Sequence, residues 1–219
     1  MDLNLPYFVY CEGASWFFLE QPLNVLSHIV FFICAAMIWL DDQGRGGSLS
    51  LLAGLLAICG LTGMAWHASE VQMALAFDIV AQIALIGALV AVLTRQILGW
   101  TPLNSVIVAV IMVLLVFLGR DLGLPFLLQN GGALLPLMIF LVLLGFNRIQ
   151  AGHQRPAKYL IASAYSLFIA LIFHSLDWVV CTEFPLGTHW IWQIAVALSA
   201  YLAVKAAQRN REELESENA

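Results

Sequence analysis

Charge is scarce in this chain. Asp, Glu, Lys and Arg make up 11% of its 219 residues, hydrophobic residues make up 62%, and the mean hydropathy is +0.89. A soluble domain carries about a quarter charged residues, so an ordinary water-soluble fold is excluded. The stretch from Met1 to Trp16 has no basic n-region and no small-residue cleavage site. A secretory signal is therefore not expected, and the first apolar segment is read as its own insertion signal. Lysine is nearly absent: Lys158 and Lys205 lie at segment ends, which leaves no lysine at mid-membrane for a retinal Schiff base. No period of 20–50 residues repeats, which argues against a repeat-built transporter of Asp78 and Asp177. Nucleic acid is not an expected partner.

Long apolar runs are what the chain does have. Seven segments approach the ~20 residues needed to cross a bilayer as helix: 22–40, 48–66, 72–94, 102–119, 125–147, 158–180 and 189–207. The expected fold class is an all-α integral membrane protein, one seven-transmembrane-helix bundle over 1–207 with a polar tail at 208–219. Pro22 suits a first helical turn. Gln129, Asn130, Gly131 and Gly132 interrupt the fifth segment, and Pro136 is expected to kink it. Arg45, Arg95, Arg148, Arg155, Lys158, Lys205, Arg209 and Arg211 fall on one side of these segments and Arg120 on the other. The positive-inside rule then puts the N-terminus outside and the C-terminus in the cytoplasm. All seven tryptophans, Trp16, Trp39, Trp66, Trp100, Trp178, Trp190 and Trp192, fall near segment ends, and most read as interfacial belts.

Cys34 and Cys59 lie within segments and read as core. Cys11 and Cys181 both fall on the outer side; an oxidising exterior permits a bridge between them, or leaves two separate thiols.

His67, Asp78, His174, Asp177, His189 and Gln193 come from four segments, all near their outer ends. Ionised groups at bilayer depth cost roughly 2.5–3.5 kcal/mol on insertion scales, so such residues face the bundle interior and have partners. Imidazoles with an adjacent carboxylate are a donor set zinc prefers. Zinc lowers the pKa of its water to about 7, and a nearby carboxylate can shuttle the proton in amide or ester hydrolysis. Each residue alone reads more plainly as an interhelical hydrogen-bonding group. Ser27 and His28 are assigned that plainer role. Asn24 either supports the site or helps Glu12 hold a cation, with Ca the candidate ion.

Three motif stretches bear a resemblance. They are Tyr10-Cys11-Glu12 with Gln21-Pro22-Leu23-Asn24; Trp66-His67 with Asp78; and Asp177-Trp178-Val179-Val180-Cys181 with Phe184-Pro185-Leu186-Gly187-Thr188-His189-Trp190-Ile191-Trp192. Together they resemble the alkaline ceramidase family, in its bacterial form, within the seven-helix membrane hydrolases that include the adiponectin receptors. The resemblance covers the whole bundle. It implies a zinc ion near the extracytoplasmic side, His67 and His189 as ligands, Asp78 as general base and a Cys11–Cys181 disulfide. Glu12, Gln21, Asn24 and Asp177 would support the site or a second cation. It also implies a bacterial inner-membrane protein, its site facing the periplasm, that hydrolyses ceramide or a related amide lipid to a long-chain base and a fatty acid.

Three positions depart from the family pattern. Gln193 stands where a second histidine of the last helix is expected, Gly63 where a serine is expected, and Gln21 where a glutamate is usual. Gln193 is then a weak ligand position and His174 a candidate substitute ligand. These departures support a second expectation, a non-catalytic lipid-binding or receptor-like member with a degenerate metal site.

Overall fold

The computed structural model describes residues 10–12, 20–42, 47–121 and 132–217. Among them the chain forms α1 (Pro22–Ser27), α2 (Ile29–Asp41), α3 (Ser48–Ser69), α4 (Gln72–Leu98), α5 (Pro102–Asp121), α6 (Leu135–Gln150), α7 (Gln154–Val180) and α8 (His189–Glu217), with one 3-10 turn at Gly132–Leu134. Six helical stretches are long and apolar enough to cross a membrane, counting α1 and α2 as one; α6 is apolar but shorter. Trp16, the basic Arg45 with its turn, Arg120's side chain and the interruption at 129–131 fall outside the described residues.

Successive helices from α2 to α8 pack side by side, and α8 also touches α1, α2, α3 and α4, so it runs through the centre. Its sequence permits this. Ala195, Ala197, Ala200, Ala203, Ala206 and Ala207 are all buried, and small side chains let helices approach closely. Against α7 the contact is also polar. Ser163 Oγ donates to Ser199 O at 2.8 Å, Ser199 Oγ to Ser163 O at 2.9 Å, and Ser166 Oγ to Ala195 O at 2.8 Å. The outward faces are apolar: Leu40, Leu103, Leu143, Phe77 and Leu61 are each more than 60% exposed. Water would not tolerate that much contiguous apolar surface, but acyl chains would.

Four expectations about the segments need correction. The first segment, expected to be continuous over 22–40, is interrupted at His28. The carbonyl of Asn24 accepts from Ser27 Oγ at 2.7 Å and faces His28 Nδ1 at 2.8 Å. The His28 amide turns instead to Val25 O at 3.2 Å. Local side chains have displaced one rung of the helix ladder. Pro136 does not kink a helix; it sits in the first turn of α6, where a missing N–H costs nothing. The segments 72–94 and 158–180 are longer as helices, to Leu98 and from Gln154.

The expected tail at 208–219 is helical as far as Glu217. Several of its polar groups are engaged: Asn210 Nδ2 donates to Gln96 O at 2.9 Å, Arg211 pairs with Asp42 at 3.2 Å and Glu213 with His153 at 3.1 Å. One turn earlier Lys205 pairs with Asp41 at 2.7 Å. Apolar runs mark the extent of a bilayer, whereas backbone bonding continues wherever polar side chains find partners.

Candidate functional site

Four helix ends bring the expected residues together. Trp66 and His67 lie in the last turn of α3, which stops at Glu70 in a left-handed conformation (φ +51°). Asp78 is in the second turn of α4, His174 and Asp177 in the last turns of α7, and His189 and Gln193 open α8. His67, Asp78, His174, Asp177, His189 and Gln193 all line one cavity of about 490 Å³. The ring centroids of His67 and His189 are 5.3 Å apart, and those of His174 and His189 5.2 Å.

His67 is held at both nitrogens. Its Nδ1 lies 2.6 Å from Gln21 Oε1 and its Nε2 lies 2.8 Å from Gln193 Nε2. With the glutamine amides placed so, Nδ1 carries the hydrogen and Nε2 accepts. Gln193 Oε1 in turn faces Ser27 Oγ. Asp78 has its own supports. Gln82 Nε2 donates to Oδ2 at 2.7 Å, and Thr62 Oγ1 lies 3.1 Å from Oδ1.

Asp177 acts as a brace. Its Oδ1 accepts the amides of Thr188 at 2.6 Å and His189 at 2.9 Å, and its Oδ2 accepts Cys11 N at 3.0 Å. The carboxylate thus caps the N-terminus of α8, where the helix dipole favours negative charge. Gly187 makes room for it: a Cβ there would lie 2.2 Å from Asp177 Oδ1. Cys11 and Cys181 meet in the implied disulfide, their Cα atoms 5.2 Å apart. That bridge carries Tyr10 over the site, where its ring stacks on His189 at 3.8 Å.

Glu12 and Asn24 were the candidate cation pair. Glu12 instead caps α1, with its two oxygens accepting Leu23 N at 2.7 Å and Asn24 N at 2.8 Å. Burial holds the Glu12 carboxyl above its ordinary pKa despite these two bonds. Glu70, buried beyond the end of α3, is raised for the same reason. With both Glu12 oxygens given to backbone amides, this geometry does not by itself argue for calcium.

The zinc seat meets a similar test. The His174 and His189 Nδ1 atoms are buried without a hydrogen-bond partner, as ligand nitrogens would be. The third donor is missing. Among the described residues no three His, Cys, Asp or Glu side chains are grouped to hold a metal ion. The His67 nitrogen that would face the metal is already taken by the Gln193 amide. As placed, the side chains do not fit a three-imidazole zinc centre, and the zinc expectation is carried by the resemblance alone.

Sequence reading missed His28, Tyr10 and Glu70 as parts of this site. His28 and Tyr10 line the cavity, and the His28 ring lies tilted to that of His67, their centroids 5.3 Å apart. The signal for His28 was Gly63. A Cβ at Gly63 would lie 2.0 Å from His28 Nε2, so the absent side chain at the expected serine position is the space the imidazole fills. Gly63→Ala is expected to cost about 1–3 kcal/mol, the usual range for overpacking a tight interior. In a His28→Ala background the same change should cost much less. Thermal melting of the four proteins in detergent checks this; equal costs in both backgrounds would show that the ring does not set the requirement.

Compared with known proteins, the chain matches no protein-family model and no curated protein.

Proposed function

We propose that this protein binds a single-chain or ceramide-like amide lipid inside the bundle, with the polar linkage at the histidines and an acyl chain along the apolar wall. One observation carries the reading: the same cavity that is lined by His67, Asp78, His189 and Gln193 is lined further along the helices by Leu85, Leu89, Leu141, Leu167, Val196 and Ala200. From Asp78 to Leu89, and from His189 to Ala200, is about 16 Å along a helix axis at 1.5 Å per residue. That is the reach of a medium-length acyl chain. The volume is in the range of small-molecule pockets. In this reading α6 is the remaining span of seven, and the bias of Lys and Arg puts the histidine end on the extracytoplasmic side of a bacterial inner membrane.

A second reading makes the pocket a ceramidase-like amide hydrolase. It is favoured by Asp78, whose two carboxyl oxygens face Thr62 Oγ1 and Gln82 Nε2 in the cavity that the histidines line. Asp78 would take the proton of an attacking water and return it to the amine as the carbon–nitrogen bond breaks.

The test uses purified protein in detergent with a fluorescent ceramide. Saturable binding is expected, weakened at least about tenfold by Val196→Trp, which fills the apolar wall; a tenfold change is about 1.4 kcal/mol. Absence of saturable binding overturns the proposal. Release of a long-chain base and a fatty acid, lost in Asp78→Asn, upholds the hydrolase reading.

A further inference from the structure

Glu70 belongs to no expected site, yet its placement is unusual. It is 0% exposed, and among the described residues it is the only non-glycine with positive φ. A left-handed glutamate is held against a conformational cost only where its surroundings over-determine it. Here the surroundings are polar. Glu70 Oε1 accepts from Gln21 Nε2. Gln21 Oε1 accepts from Asn24 Nδ2 at 2.9 Å and faces His67 Nδ1 at 2.6 Å. Gln21 N also donates to His67 O at 3.1 Å. His67 Nε2 faces the Gln193 amide, whose Oε1 faces Ser27 Oγ.

Most members of this buried chain can reverse. A glutamine amide turned over exchanges donor for acceptor, and a neutral imidazole can carry its hydrogen on either nitrogen. Turning over Gln21, Asn24 and Gln193 together would serve a His67 with its hydrogen on Nε2. A carboxylate cannot reverse, because it only accepts. With Glu70 at the end, Gln21 must direct its NH2 there and its oxygen to His67.

We infer that Glu70 is a positioning residue which, through Gln21, fixes His67 in the Nδ1–H tautomer and aims the Nε2 lone pair at Gln193 and the cavity. This deepens the pocket reading above, since the orientation of His67 decides what a lipid's polar linkage meets. Its readout does not depend on lipid.

The experiment is nitrogen NMR of the full chain with labelled histidine in detergent micelles at pH 8. His67 is assigned by its loss in His67→Gln. Two variants are compared, Glu70→Gln and Gln21→Leu. The first keeps size and hydrogen-bonding capacity but can donate as well as accept; the second breaks the relay. In each, the ratio of Nε2–H to Nδ1–H signal at His67 is expected to rise at least about tenfold, as loss of one hydrogen bond to a charged acceptor implies. An unchanged ratio in a folded variant overturns the inference, because purely structural support would leave the tautomer alone. If one variant fails to fold, the other decides.

Discussion

Asp177→Ala is expected to destabilise the protein by about 3–5 kcal/mol, as loss of a charged acceptor shared by three backbone amides implies. The magnitude follows from what the carboxylate does. Three backbone amides, those of Cys11, Thr188 and His189, end on its two oxygens. A hydrogen bond to a charged group contributes about 1.5–3 kcal/mol, and a buried donor left without a partner costs about 1–3. Asp177→Asn should cost less, because one oxygen can still accept from Thr188 and His189 while an NH2 opposes Cys11 N. The order of melting temperatures, natural chain above Asp177→Asn above Asp177→Ala, is the check. A natural-like melting temperature in Asp177→Ala would mean that α8 is capped by something else. Because α8 opens with His189, the weakened variants should also lose affinity for the proposed amide lipid, even at temperatures where they remain folded.

Gln193→His is expected to give the largest gain. His189 and position 193 are one turn apart on the same face of α8. Position 193 already touches His67 Nε2. An imidazole there would supply the third donor missing from the described residues, in the tetrahedral geometry zinc accepts with water as fourth ligand. We expect one zinc per purified chain and an affinity at least about 100-fold above that of the natural protein, a change comparable to the largest effects of perturbing a metal's supporting shell. Metal analysis after dialysis against a weak chelator measures it. Two outcomes speak against this account. A natural chain that already holds zinc tightly would show that the Gln193 amide yields to the metal. A variant without zinc would show that His28, packed over Gly63, blocks the seat; Gln193→His combined with His28→Ala separates that case.

The parts of the site legible in sequence were those whose cost is local. A histidine or aspartate at bilayer depth is expensive wherever it points, so His67, Asp78, His174, Asp177 and His189 stood out before any fold was known. The roles that stayed hidden depend on a partner distant in the chain. His28 looks like any polar helix residue until Gly63 is placed opposite it. Glu70 lies in a short connection, and only the backbone turn at the end of α3 buries it beside Gln21. Asp177 was read as a supporting or cation-binding group, because its three acceptor bonds run to amides whose positions no side-chain pattern announces. Helix extents failed for a related reason: hydropathy ends at the edge of the apolar run, while α8 continues through Asn210, Arg211 and Glu213 because each finds a partner on a neighbouring helix.

The bridge between Cys11 and Cys181 spans 170 residues, which has a consequence for how the molecule is made. The chain emerges from its N-terminus, so Tyr10, Cys11 and Glu12 exist long before α7 and α8. Yet Cys11 takes its backbone partner from Asp177 and its sulfur partner from Cys181, and Tyr10 rests on His189. The first-made segment cannot reach its final place until the last-made pair of helices is inserted. The pocket is therefore closed only late in biogenesis, and a chain truncated before α7 would leave Cys11 without its carboxylate and its sulfur partner.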